Sequence, residues 1–242
     1  MIKIGKNNII SKTAKIGKNI IIGNNNYIGD DVIIYPKTII GDNNKIFNRN
    51  IIGEFTISSN DKYINYDLDK CYGVVIGNNN LLHVNNIIYS GIEKKTSIGN
   101  NNKLLSYCHI GHDAYIENKT VLYPNIIVGG YSRVLSESNI GMMATIQQRT
   151  VIGQYSMVGG NSMTTRDVFP YFITIMNKIY KLNIKKIDEE IIKKEDIIRE
   201  IYEEYKNGKM DIDKYDISDK IKGELKEFKK NCEIRNDQKN NH

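Results

Sequence analysis

Leu104-Leu105-Ser106-Tyr107-Cys108-His109-Ile110-Gly111-His112-Asp113-Ala114-Tyr115-Ile116 places the aliphatic residues Leu104, Ile110 and Ile116 six apart. The spacing continues through Leu122, Val128, Val134, Ile140, Ile146, Ile152 and Val158. It also extends backward: Ile98 precedes Leu104, and an earlier run holds Ile4, Ile10, Ile16, Ile22, Ile28, Ile34, Ile40, Ile46 and Ile52. Between these runs the register returns at Ile76, Leu82 and Ile88. Glycine often follows the aliphatic, as at Gly17, Gly41, Gly77, Gly111, Gly129 and Gly153, and a small residue often stands four places after it.

A period of six matches neither an amphipathic helix nor a simple alternating strand. It fits a parallel β-helix of triangular coils, each side one six-residue rung, with the aliphatic pointing inward and stacking on its equivalent in the next coil. A single coil cannot bury its apolar edge, so stability comes from stacking. The recurrent glycine is read as the residue that lets the backbone turn the corner without a Cβ penalty.

Two excursions interrupt the coils. The first lies near 55–74, from Phe55 to about Gly73, and the register resumes at Ile76, a whole number of hexads after Ile52. The second lies near 90–97, because Ile98 follows Ile88 by four residues more than one hexad. Long loops on rigid scaffolds commonly carry function. The chain is therefore expected to be mainly β, with a β-helix over 1–170, ended by Asp167-Val168-Phe169-Pro170-Tyr171 because proline cannot continue a ladder. A small α-helical region is expected over 171–230, where Ile187, Ile191, Ile198, Ile201, Tyr202 and Tyr205 have helical spacing and Gly208 is a breaker. A polar, disordered tail is expected over 231–242.

Composition excludes several classes. The 242 residues carry a formal net charge of +6, with Lys and Glu mixed in the C-terminal third, which reads as solvated helix surface and not as a nucleic-acid stripe. No apolar window is long enough for a transmembrane helix, and the N-terminus lacks a signal-peptide core. The expected compartment is the cytoplasm. The three cysteines, Cys71, Cys108 and Cys232, are scattered, with no CxxC, so neither a disulfide framework nor a zinc site is indicated. Heavy use of Ile, Asn and Lys reads as the bias of an AT-rich genome, so single asparagines and lysines are given little weight. No P-loop or dinucleotide fingerprint occurs, and no tightly bound cofactor is expected.

Histidine is the side chain best placed to take a proton near neutral pH. Of His83, His109, His112 and His242, the coil register favours His112. Counting hexads places Ser90 beneath it, Gly130 one coil above it and Gln148 two coils above. A missing side chain at Gly130 leaves a groove, Tyr131 lies beside that groove, and Asp113 or a backbone carbonyl would orient the imidazole. His83, His109 and His112 fall on different hexad phases, which argues against a three-histidine metal site and a hydratase built on one.

The hexad pattern resembles the hexapeptide-repeat acyltransferase superfamily. That resemblance implies a left-handed parallel β-helix and a homotrimer with active sites between subunits. The segment Cys108-His109-Ile110-Gly111-His112-Asp113 is similar to the HIAHD segment of the UDP-N-acetylglucosamine O-acyltransferases, and the likeness continues through Gly129-Gly130, Ile140-Gly141-Met142-Met143-Ala144, Gln148, Met157-Val158-Gly159-Gly160 and Asp167-Val168-Phe169-Pro170-Tyr171. It implies His112 as general base and His109, Asp61, Lys62, Gly130, Tyr131, Gln148, Gly160 and Asn183 as substrate contacts. The backbone amide near Gly130 would be an oxyanion donor, and Gly160 would leave room for a long acyl chain. The implied substrates are a nucleotide-linked sugar of the UDP-N-acetylglucosamine type and an acyl-carrier-protein or coenzyme A thioester, with acyl carrier protein as partner. Tyr131 and Gln147 stand where the family has histidine, Lys185 replaces a family Glu, and Glu189 replaces an Arg. The second excursion lacks the family's Gly-rich His-Arg-Gly-Thr segment. These departures leave the base in place and keep open an N-acyltransferase on a nucleotide-linked amino sugar, or a non-catalytic β-helix binding protein.

Overall fold

In the computed structural model, residues 1–56 and 71–240 are described, with side chains through 234. Among these residues the chain forms three sheets of eight, ten and eight strands. Successive rungs go to successive sheets, so every strand pairs in parallel with the strand one coil away. The one exception is the antiparallel pair Phe172–Ile175 and Lys178–Leu182 at the end of the ten-stranded sheet. The first excursion costs the stack no register, since Ile40 pairs with Ile76 and Ile46 with Leu82. Beyond the second, Ile88 pairs with Ile110, as the hexad count requires.

From Ile22 to Val158, the inward-pointing sixth residues form one continuous core of almost fully buried side chains. Each such burial contributes on the order of 1.5–3 kcal/mol, which is how rungs of two or three residues hold together.

The structure assigns the corner residues differently from the sequence reading. Apart from Gly53 (φ +85°) at the first excursion, the hexad glycines do not supply the left-handed turn. That conformation falls on the third residue after the aliphatic, at φ between +53° and +62° in coil after coil, for example Asn25, Asn43, Asn79, Asn101, Asn125 and Asn161. Asparagine tolerates this region better than most residues. The glycines are needed for room. A Cβ on Gly77 would lie 2.6 Å from the carbonyl oxygen of Gly99 and 2.5 Å from Asn100 Oδ1 in the next coil.

Asparagine is also more than a compositional bias. Asn26, Asn44, Asn80 and Asn102 are buried in a row along one corner. Asn44 Nδ2 donates to Asn26 Oδ1 (3.1 Å), and Asn80 Nδ2 donates to Asn44 Oδ1 (3.0 Å). Each side chain also donates to a backbone carbonyl and accepts a backbone N–H, as Asn80 does with Gly99 O (2.8 Å) and Asn102 N (2.9 Å). The ladder satisfies polar groups that burial would otherwise leave stranded.

The β-helix does not end at Pro170. Phe172–Ile175 adds to the ten-stranded sheet in parallel with Met157–Val158, and its hairpin partner follows, so the segment after 171 begins as sheet. Pro170 lies in the connection before this strand, where no ladder hydrogen bond is required of it. Helices α1 (Glu189–Lys193), α2 (Glu195–Lys206) and α3 (Asp219–Asn240) follow. Phe169, Phe172, Ile198, Ile201, Leu225 and Phe228 build a second core against the last coils. The polar tail expected from 231 is instead the continuation of α3 to Asn240. Cys232 is buried there, and Asn231 accepts a hydrogen bond from Arg133 Nε, so the first part of that segment is docked on the β-helix.

Asn80→Ala would leave Gly99 O and the Asn102 N–H without their partners. Its expected cost is about 3 kcal/mol, read as a lowered urea midpoint with the parallel-β circular dichroism of the folded state retained.

Candidate active site

His112 follows the rung His109–Ile110 in the third sheet, the one that also carries Ile87–Tyr89 below and Ile127–Val128 above. The imidazole is 20% exposed and its Nδ1 is 2.9 Å from Asp113 Oδ2, while the Asp113 side chain is 0% exposed. Asp113 occupies a left-handed corner at φ +58°, which turns its carboxylate back toward the preceding side chain.

The second excursion encloses that carboxylate. Ile92 N donates to Oδ2 (2.9 Å), and Glu93 N (3.0 Å) and Lys94 N (2.7 Å) both donate to Oδ1. The loop closes tightly enough that a Cβ on Gly91 would run into the Lys94 carbonyl oxygen. Burial pushes the Asp113 carboxyl up, but hydrogen bonds from His112 and from the three loop amides outweigh it and hold the group below the usual carboxylate range. Asp113 is therefore an ionised acceptor, the hydrogen shared with His112 belongs on Nδ1, and Nε2 is left as the basic nitrogen.

Nε2 faces the notch that the hexad count foretells. A Cβ at Gly130 would lie 2.7 Å from it. Below the notch is a cavity of about 450 Å³ whose walls include Glu54, Phe55, Tyr89, His109, His112 and Gly130. The His109 and Tyr89 rings are 4.8 Å apart. Burial lowers the His109 pKa, so this ring is held neutral. Burial, reinforced by Glu54, raises that of Tyr89, which keeps its proton.

The structure thus brings together His112, His109 and Gly130. Tyr131 stands behind the imidazole, its rings 4.9 Å apart at 87°, and is only 5% exposed. Gln148 is exposed one coil above Gly130. Ser90, beneath His112, is used locally, accepting from Gly73 N (2.8 Å). Gly160 lies on another corner, above Met142, and is not part of the His112 cavity within one chain. Asn183 is 5% exposed and donates its amide to the Tyr155 carbonyl (2.8 Å). Asp61 and Lys62 lie outside the described residues.

Sequence reasoning missed Glu54, Tyr89 and Glu93. Only Tyr89 carried a signal: it follows Ile88 in the place where Gly111 and Gly129 follow their aliphatics. Cys108, although central in the motif, is no nucleophile. Burial pushes its thiol up to about 12, and it fills the interior corner position that Asn86 fills one coil below. Among the described residues, no group of three His, Cys, Asp or Glu is placed to hold a metal ion.

Fold and site together define a hexapeptide-repeat β-helix with a carboxylate-held histidine at a coil corner. Solved structures of that class match it over most of its length. UDP-N-acetylglucosamine acyltransferase from Campylobacter jejuni superposes with a TM-score of 0.71 at 27% identity, covering 85% of this chain and 79% of that one. UDP-N-acetylglucosamine O-acyltransferase from Moraxella catarrhalis gives a TM-score of 0.55 at 30% identity, covering 81% of each. An acyl-[acyl-carrier-protein]–UDP-N-acetylglucosamine O-acyltransferase from Saccharophagus degradans is 36% identical over 55 residues, a match that spans 22% of this chain and 21% of that relative. No family model matches the chain. The chain belongs to the UDP-N-acetylglucosamine acyltransferase family.

Asp113 has a depressed folded-state pKa, so the protein binds fewer protons there than the unfolded chain. Its stabilisation is present above the ordinary value of 3.8 and is lost as pH falls through the lower folded value. Asp113→Asn is therefore expected to lower stability most at neutral pH, with the gap to wild type closing below about pH 3.8. Urea titrations across pH 7 to 3 measure the gap; one that stays constant would remove the assignment of an ionised, caged carboxylate.

Proposed function

We propose that the protein transfers an acyl group from an acyl-carrier-protein thioester to a hydroxyl of UDP-N-acetylglucosamine, with His112 as general base. One observation carries the chemistry: an imidazole whose Nδ1 is held by a caged carboxylate presents Nε2 to a notch free of any side chain. The solved relatives named above supply the substrates, since their names state the acyl acceptor, and the Saccharophagus relative's name states the donor.

On this reading, Nε2 takes the proton of the sugar hydroxyl as its oxygen attacks the thioester carbonyl. The buried Asp113 stabilises the imidazolium that forms. The backbone N–H near Gly130 faces the oxyanion, whose charge a preorganised donor stabilises most. Collapse of the tetrahedral adduct breaks the C–S bond, and the departing sulfur leaves as a thiol with the proton His112 had taken. His109, Tyr89 and Glu54 line the cavity as walls for the sugar or acyl group, with Gln148 above.

Gly160 and Asn183 keep substrate roles on this reading only if they meet the substrate across a second copy, in the homotrimer that the resemblance implies. Lys94, Lys95, Arg149 and Arg166 are the basic side chains offered to an acidic carrier protein or a diphosphate. The cytoplasm is the compartment this reading assigns. A coenzyme A thioester is the alternative donor.

Incubation with UDP-N-acetylglucosamine and a panel of acyl-carrier-protein and coenzyme A thioesters, followed by mass spectrometry, tests the proposal. One donor is expected to give an acylated sugar nucleotide, and His112→Ala to reduce the rate by about 10²–10⁴. Gly130→Ala, which puts a methyl group 2.7 Å from Nε2, is expected to abolish turnover in a protein of unchanged fold. Unimpaired turnover by His112→Ala would exclude the general-base role.

A further inference from the structure

Tyr131 is poorly suited to contact a substrate. It is 5% exposed, and its hydroxyl donates to Glu93 Oε1 at 2.5 Å. Its ring is gripped on two sides, by the His112 imidazole at 4.9 Å and 87° and by the Arg149 guanidinium, 4.2 Å from the ring centroid. The backbone is committed too: Tyr131 N donates to His112 O at 2.9 Å. Its φ of +60° lies in the left-handed region that asparagine fills at many other corners, and a tyrosine there carries some conformational strain.

Glu93 is exposed, yet it joins two parts of the site. Its backbone N–H is one of the three that cage Asp113, and its carboxylate holds the ring that backs His112. Asp113 fixes the imidazole through Nδ1, leaving rotation and tilt about that hydrogen bond. Tyr131 blocks this remaining freedom, while Gly130 leaves the Nε2 edge open.

We propose that Glu93 and Tyr131 form a latch that ties the second excursion to the imidazole of His112 and fixes the direction in which Nε2 points. Both are positioning residues, neither touching substrate. The role of the latch in turnover rests on the acyl-transfer reading; its effect on the imidazole does not. A catalytic base displaced by a fraction of an ångström loses rate without losing substrate affinity.

The test uses the full chain, ¹⁵N-labelled, with the His112 ring signals identified by their absence in His112→Ala. The wild type is expected to show a protonated Nδ1 and an unprotonated Nε2 once the ring is neutral. In Tyr131→Phe and Glu93→Ala, Asp113 still holds Nδ1, so the tautomer is expected to persist while the His112 ring signals shift and broaden as the ring gains freedom about that hydrogen bond. Alongside, kcat should fall about tenfold with KM within about twofold. Glu93→Gln keeps an acceptor oxygen for the Tyr131 hydroxyl and is expected to recover kcat to within about threefold of wild type. Tyr131→Phe removes one oxygen and Glu93 is exposed, so both variants should fold, which their thermal midpoints check. Unchanged His112 ring signals in both folded variants overturn the latch. If the signals shift and broaden but the wild type turns over no thioester, the latch stands and the acyl-transfer reading falls.

Discussion

Everything in this protein depends on the stacking of one coil on the next at a fixed phase. The inward aliphatics are buried in unbroken columns, and backbone hydrogen bonds between coils lock each rung to its equivalent. A slip of one residue would turn every aliphatic outward. The surroundings of a corner side chain are therefore decided by residues a whole coil away. His112 has an open edge because residue 130 has no side chain, and Cys108 is inert because its corner position points into the prism.

The corners share a second constraint, a left-handed residue at the same place in each rung, which many residue types meet. At many corners, asparagine occupies the left-handed position and a buried asparagine or small residue follows it, so conformation and polar satisfaction agree. At the site, Asp113 and Tyr131 take the left-handed position instead. An aspartate tolerates it; a tyrosine does so with strain that the surrounding contacts must offset. Both changes put a side chain against His112, one as a hydrogen-bond acceptor and one as a wall.

Much of this was legible in the sequence, for a physical reason. A hexad repeat converts sequence distance into spatial adjacency, so the notch above His112, the phase of the core and the placement of both excursions follow from counting. What counting could not reach lies where the repeat stops. The amides of Ile92, Glu93 and Lys94 come to Asp113 through a loop fold that no period encodes. The Glu93–Tyr131 hydrogen bond joins residues 38 apart for the same reason. The strand after Pro170 was missed because proline was read as a terminator, when it only has to avoid a ladder position. The docked part of α3 was missed because Asn231 and Cys232 are polar or small, and their burial depends on the face of the β-helix they meet. The asparagine rows were in plain view but were read as composition, since one asparagine looks the same whether it is solvated or a link in a buried chain.

The cage around Asp113 also bears on how such proteins diversify. Surface insertions on a repeat scaffold are ordinarily exchangeable parts, free to change length and chemistry while the frame stays constant. Here the insertion solvates the carboxylate that holds His112: its main-chain amides do what water would do for an exposed carboxylate. Transplanting a relative's insertion into this frame would thus alter the proton affinity of Asp113 as well as the shape of the groove. The shape of the groove and the hold on the imidazole rest on the same few residues, and the loop can wander only as far as three amide protons still converge on one carboxylate.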